Sequence, residues 1–267
     1  MSSDEEYIGK QFWDAPSETY VWYRKKQLML SFIKDMVEKK DNLRILDMGC
    51  NNGTDLFSFS KLINKKHEYV GLDIDKQAIS FANKRVKNDK LNNFKFYCRD
   101  IVSQDVTRLG KFDIILSSEV IEHVYNHDLF LKKAHIMLNE GGYVMLTTPN
   151  KDNIIKKLVL RFYPNVKEKQ SWYFDRHGAD IEKDKEGYMN NRESIMQHVS
   201  EVNKKQLRQE LIRNGFEIVK LKSSAISYGS PVLDNNKFLF FIWTALDAMP
   251  LFGSKLGYDI CVLARKV

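Results

Sequence analysis

The sequence predicts an α/β protein in which a parallel sheet carries helices on both faces. Three observations predict it. Short apolar runs rich in β-branched and aromatic residues recur along the chain, stretches of helical period separate them, and a glycine-bearing turn joins the first strand to the next helix. Strands that alternate with helices pair in parallel through crossovers, and right-handed crossovers leave few topologies.

Residues 18–40 open the pattern. Leu28, Leu30, Phe32, Ile33 and Met36 recur roughly at helical spacing, and Ser17 is placed to cap the helix. Strands are then expected at 44–48, 69–74, 94–98, 112–118 and 143–148, with helices at Asp55–Ile63, Lys76–Val86 and Asp128–Leu138 between them. After Pro149 the pattern changes to charged, aromatic and weakly periodic sequence up to about residue 200. Within it, Ile154, Ile155, Leu158, Val159 and Phe162 would share one face of a basic amphipathic helix. A helix at 204–216 with Gly215 near its C-cap leads to two closing strands, 216–221 and 259–264. The organisation read from this is an N-terminal helical segment, 1–43, and one domain, 44–267, with an insertion at about 151–203.

Of the 267 residues, 43% are hydrophobic and 29% charged, as in ordinary globular proteins. The three cysteines, Cys50, Cys98 and Cys261, are far apart and form no CxxC, which argues against a disulfide framework or a thiolate zinc site and points to a reducing, cytoplasmic setting. The acidic start MSSDEEYIGK does not read as a signal peptide. No apolar run reaches the length of a spanning helix. Residues 238–252 come nearest, and fit either a buried helix or a helix lying on a membrane surface. The net charge is +7, with most of the excess between 151 and 222, so an anionic partner is favoured: a lipid surface, an acidic substrate or nucleic acid. Contact at the inner face of a membrane through 153–163 and 238–252 is expected from these features.

The chemistry begins at LDMGCNNGTDL, residues 46–56. A glycine turn between strand and helix presents backbone N–H groups to a ligand. Dinucleotide turns read GxGxxG, whereas here Asn51 stands where the second glycine would be, and Asp47 would repel a pyrophosphate while attracting an ammonium. Asp73 ends the second strand and can accept from ribose hydroxyls; Asp100 ends the third and can accept from an adenine amine, with Ile101 against the ring. Acceptors for an ammonium, a ribose and an adenine, without a phosphate site, describe S-adenosylmethionine. Gly49, Cys50, Asn51 and Gly53 of the turn, Ile74 after Asp73, and Ser117 at the end of the fourth strand complete the expected cofactor site.

On these residues the chain resembles the class I S-adenosylmethionine-dependent methyltransferases, from about Arg44 to Pro149 and again over about His198–Leu221 and the last strand. The resemblance implies a Rossmann-like seven-stranded sheet in the order 3-2-1-4-5-7-6 with an antiparallel last strand. Asn51 departs from the glycine of many members, but asparagine tolerates positive φ, so the loop should survive.

The acceptor side begins at SSEVIEHV, 117–124. On a helix starting here, Glu119, Glu122 and His123 would share one face near the transferable methyl group. Two carboxylates and an imidazole suit Mg, Mn, Fe or Zn, which would lower the pKa of an acceptor oxygen. His123 as a general base without metal, and a merely structural helix start, are the other readings. ExxEH here resembles the metal ligands of the ubiquinone-biosynthesis O-methyltransferases and of the small-RNA 2′-O-methyltransferases, with His198 as the downstream partner. The insertion resembles the membrane-touching segment of the quinone enzymes, and the C-terminal stretch resembles methyltransferases of glycans and lipid-linked sugars. A quinone-like, small-molecule or lipid-linked/glycan hydroxyl is therefore the expected acceptor, with Glu122, His123 and His198 as catalytic residues. RNA is disfavoured by the small basic excess, and a non-catalytic partner subunit by the intact acids.

Overall fold

The computed structural model describes residues 16–63, 65–154, 157, 158, 161, 198–226, 235–249 and 257–267. The chain opens with α1 (Pro16–Lys39), followed by β1 (Arg44–Met48), α2 (Thr54–Leu62), β2 (Glu68–Asp73), α3 (Lys76–Asn88), β3 (Phe94–Cys98), β4 (Phe112–Ser118), α4 (His127–Met137), β5 (Leu138–Pro149), α5 (Lys204–Arg213), β6 (Phe216–Ser224), α6 (Lys237–Ala248) and β7 (Asp259–Lys266). The sheet order is β3-β2-β1-β4-β5-β7-β6, with β7 antiparallel to both of its neighbours, as the resemblance implied.

Alternation along the strands feeds two apolar layers. Leu46 and Ile115 face a layer completed by Phe130, Leu131 and Ala134 of α4 and by Leu207 and Leu211 of α5. Ile45, Ile114 and Leu116 face the other, with Leu56 and Phe57 of α2 and Ile79 and Ala82 of α3. Helix α1 joins this second layer through Met29, Phe32, Ile33 and Val37, so the N-terminal segment supplies core to the sheet.

Three local expectations are corrected. Ser17 lies inside α1, which begins at Pro16, a residue that fits a first helical turn because its missing N–H is not needed there. Helix α4 ends at Met137, and β5 starts at Leu138, five residues before the expected strand, because Leu138 pairs with Phe112 across an irregularity in the ladder. Residues 121–123 form a short 3-10 turn and not the start of an α-helix.

Parallel strands put their carboxyl ends at one edge of the sheet, and β6, antiparallel to β7 as β5 is, ends there too. The turns after β1, β2, β3 and β4 meet at that edge, where open α/β sheets hold ligands.

Candidate active site

The turn after β1 is a tight fit to its neighbours. Gly49 has φ +87°, and a Cβ there would lie 2.3 Å from Val120 Cγ2; Gly53 has φ +78° and would place a Cβ 2.6 Å from Phe96 Cζ. Both positions therefore require glycine. Asn51 adopts φ +47°, which confirms that asparagine serves in the turn. Its backbone N–H donates to Asp73 Oδ2 at 2.7 Å, while Asp73 Oδ1 accepts from the Asp75 N–H at 2.8 Å. One carboxylate thus braces the glycine turn and the start of α3.

Asp47 is buried, and burial pushes its pKa up to about 7. A buried carboxyl at that edge is ready to gain its charge when a cation arrives. Asp100 caps its own turn, accepting from the Val102 N–H at 2.8 Å and from the Ser103 hydroxyl. Ile74 is half-buried beside Asp73.

The predicted cofactor residues Cys50, Ile101 and Ser117 are also buried. The Cys50 side chain is buried in the second apolar layer, its thiol held neutral by burial, so a contact could come only from its backbone. Ile101 is buried in the first layer. Ser117 donates its hydroxyl to the Met48 carbonyl at 2.9 Å, tying β4 to β1; the alternation of the strand leaves Ser118 to face the site.

On the acceptor side, Glu122, His123 and His198 each offer a ligand atom within 4.8 Å of the others'. Glu122 is fully buried, its Oε2 accepts from the Thr148 hydroxyl at 2.8 Å, and its Oε1 has no hydrogen-bond partner. Burial and then the nearby Glu119 charge hold the Glu122 carboxyl well above the usual range. The His123 and His198 rings meet edge-on, centroids 4.9 Å apart. His198 Nδ1 lies 2.9 Å from Glu201 Oε1, an outer carboxylate of the kind that orients a ligating imidazole through Nε2. His198 reaches a site made 75 residues earlier because the Val199 and Ser200 N–H groups both donate to the Glu122 carbonyl, at 2.8 and 3.0 Å.

Glu119 does not join this cluster. The expected α-helix is absent, and Glu119 sits at φ +56°, a conformation non-glycine residues rarely adopt. Its Oε1 instead accepts from the Thr147 hydroxyl at 2.9 Å and lies 3.3 Å from Lys25 Nζ. His67, by contrast, is buried away from the site, its ring nitrogens bound to the backbone of Leu43 and Val37.

Sequence reasoning missed the two lysines that α1 sends into the site. Lys25 is buried between Glu119 and Asp259, 3.9 Å from the latter. Burial works against its charge, but the two carboxylates outweigh burial and hold the ammonium above the usual lysine value. Asp259 is pushed up to about 8 by burial and by Glu119. Lys26 pairs with Asp55, reaches Ser118 Oγ at 3.5 Å and lies 3.9 Å from the Trp22 ring centroid. A signal was present: Lys25 falls in the buried stripe Val21–Lys25–Met29–Phe32, where an unpaired lysine would not be tolerated.

Residues 39–215 match the family described as a methyltransferase domain. This chain belongs to that family. It is accordingly an S-adenosylmethionine-dependent methyltransferase, and the glycine turn with Asp47 and Asp73 is where the residues fit the cofactor. Among similar proteins, the ubiquinone biosynthesis O-methyltransferase of Nitrobacter winogradskyi is 26% identical over 65% of this chain and 75% of its own length. The (S)-coclaurine N-methyltransferase of Papaver somniferum is 27% identical over 54% of this chain and 39% of its own length. The fold resembles magnesium protoporphyrin IX methyltransferase from Synechocystis PCC 6803 with bound S-adenosylhomocysteine, with TM-score 0.56, 12% identity and coverage of 99% of this chain and 93% of that one.

Proposed function

We propose that this methyltransferase moves the methyl group to a hydroxyl oxygen of a small, quinone-like or lipid-linked/glycan acceptor, at the edge marked by Glu122, His123 and His198. The observation that carries the reading is that trio, gathered within 4.8 Å from two distant segments around a buried carboxylate oxygen without a hydrogen-bond partner. Its donors, one oxygen and two imidazoles, suit a divalent ion, which when bound would lower the pKa of the acceptor hydroxyl. The similarity to the ubiquinone biosynthesis enzyme, which acts on oxygen by its name, supports the same choice of atom.

The chain's own residues do the positioning. Thr148 fixes Glu122, and Glu201 fixes the His198 ring, so an acceptor oxygen at the trio meets donors that need not reorganise. Asp47 offers its charge to the cofactor's ammonium, while Lys26 stays paired with Asp55, burial and the neighbouring Lys25 holding its pKa well below the usual lysine value. Asp73 and Asp100 offer acceptors to the ribose and the adenine. A cofactor held by these residues would present its methyl carbon for in-line displacement by the acceptor oxygen, and transfer would neutralise the sulfonium charge.

A second reading dispenses with the ion. The 2.9 Å contact of His198 with Glu201 resembles a base with its orienting acid, and an acceptor could lose its proton to His198 or His123 directly. The similarity to an N-methyltransferase favours this version if the acceptor is an amine. Incubation with methyl-labelled cofactor and a cell extract split into lipid, glycan, RNA and protein fractions tests the proposal. Chelator-sensitive label in the lipid or glycan fraction supports it. Label confined to RNA overturns the acceptor, and label indifferent to chelator favours the ion-free version.

A further inference from the structure

Helix α6 has two apolar faces, and its packing against α1 and Ala225 uses only one. Its inner face is locked: Trp243 is buried 5.0 Å from the Tyr20 ring, and the buried Asp247 accepts from Tyr20 at 2.8 Å and from Arg24 at 3.2 Å. The outer face carries Phe238, Phe241, Ile242, Leu246 and Met249, spaced as one helical stripe. Phe238 and Phe241 are 69% and 68% exposed. Because Asp247 anchors the opposite face, the helix cannot roll to hide this stripe without breaking a buried charge away from its partners.

The charges around the stripe indicate what covers it. The one acid of α6, Asp247, points inward, whereas Lys237 begins the helix and is exposed. A second exposed element lies close in connectivity. Asn153 donates to the Ile226 carbonyl at 3.1 Å, next to Ala225, which packs with Trp243. From Asn153 the chain continues into helical residues with Ile154 and Leu158 about half exposed and Arg161 on the surface. Ile155, Val159 and Phe162 of the expected amphipathic face lie outside the described residues. Apolar side chains with cations and no outward acid on α6 complement an anionic bilayer surface. A second copy of this chain, itself at net charge +7, would bring like charge to the same place.

We propose that α6 docks this protein on an anionic lipid surface, its Phe238–Phe241–Ile242 stripe entering the headgroup boundary. The docking is peripheral: no helix among the described residues is long and apolar enough to cross a membrane. Helix α6 runs between the end of β6 and the start of β7, at the same edge of the sheet as the candidate site. Docking would therefore present that edge to the bilayer. The inference is independent of which atom accepts the methyl group.

Flotation of the full chain with vesicles tests it, comparing equal parts phosphatidylglycerol and phosphatidylcholine with phosphatidylcholine alone. The wild type should float with the anionic vesicles, and less so as salt rises. The double variant F238S/F241S changes only exposed side chains. It should bind those vesicles at least about tenfold more weakly, while its unfolding temperature and its affinity for S-adenosylhomocysteine stay unchanged. A wild type that stays unbound, or a variant that floats equally well, overturns the proposal. So does light scattering that finds a wild-type dimer and a variant monomer, which would assign the stripe to a second copy.

Discussion

The two halves of the sheet's carboxyl edge satisfy their carboxylates differently. On the cofactor half, the chain's own donors hold two of them, Asp73 accepting from the N–H groups of Asn51 and Asp75 and Asp100 from that of Val102 and from Ser103, whereas burial pushes the pKa of Asp47 up to about 7. On the acceptor half, Glu119 and Asp259 share the buried Lys25, and one oxygen each of Glu122 and Asp259 is buried without a hydrogen-bond partner. A carboxylate held by backbone is built for geometry, whereas buried acids crowded around one lysine still have capacity for a proton or a cation. On the proposed reading the cofactor half, Asp47 apart, is largely complete in the chain alone, and the acceptor half is completed by what it binds.

Variants can break this comparison. Glu122→Gln removes the charge that an ion or an acceptor proton needs, and should lower methyl transfer by about 10²–10³-fold. S-adenosylhomocysteine affinity, measured by calorimetry, should stay within about twofold. Equal losses in both would merge the two halves into one site. Lys25→Met strips Glu119 and Asp259 of their shared cation, and should cost about 3 kcal/mol of stability in denaturant titration, in line with other broken buried pairs. Asp73→Ala should weaken cofactor binding about tenfold or more by losing the ribose acceptor and the brace on the Asn51 turn, with a smaller loss of stability.

A pH titration sharpens the comparison further, with the smallest effect. Asp47 and Asp259 have folded-state values of about 7 and about 8, above the ordinary 3.8 of an unfolded aspartate. A raised acid contributes stability that is fully present below about pH 4 and is lost as pH rises through the folded value. The cofactor-free protein should therefore lose unfolding temperature as pH rises from about 4 to about 8. Cofactor affinity should change the other way, tightening as Asp47 ionises beside the bound ammonium. An affinity flat across that range would remove Asp47 from the ammonium site.

Much of the cofactor half was legible because its signals are local. A strand, a glycine turn and a terminal acid lie within a few residues of one another, so spacing along the chain predicts spacing in the fold. Gly49, Asn51 and Gly53 follow from φ alone, and Asp73 from its place at the end of β2. The face on which a side chain lies was less legible. Ser117 and Ser118 are neighbours, yet strand alternation sends only Ser118 to the site, and Cys50 and Ile101 turn into the two apolar layers. On the acceptor half the residue types were legible but the backbone was not. ExxEH reads as an α-helix by spacing, while the positive φ of Glu119 and the 3-10 turn at 121–123 split it, sending Glu119 to Lys25 and Glu122 to His198. Lys25 and Lys26 stayed hidden because their charged partners are 29 or more residues away in sequence: Glu119 just after β4, Asp259 at the start of β7 and Asp55 in α2. The aromatic run Trp172, Tyr173 and Phe174, which could cover an acceptor, lies outside the described residues.

The most direct test of the central claim is a manganese titration of chelator-treated protein, read by paramagnetic resonance and by the rate of labelled methyl transfer together. One ion should bind per chain, transfer should return in step with its binding, and both should be lost in Glu122→Gln and His198→Ala. Full transfer by the metal-free protein, or manganese binding that both variants retain, would contradict it.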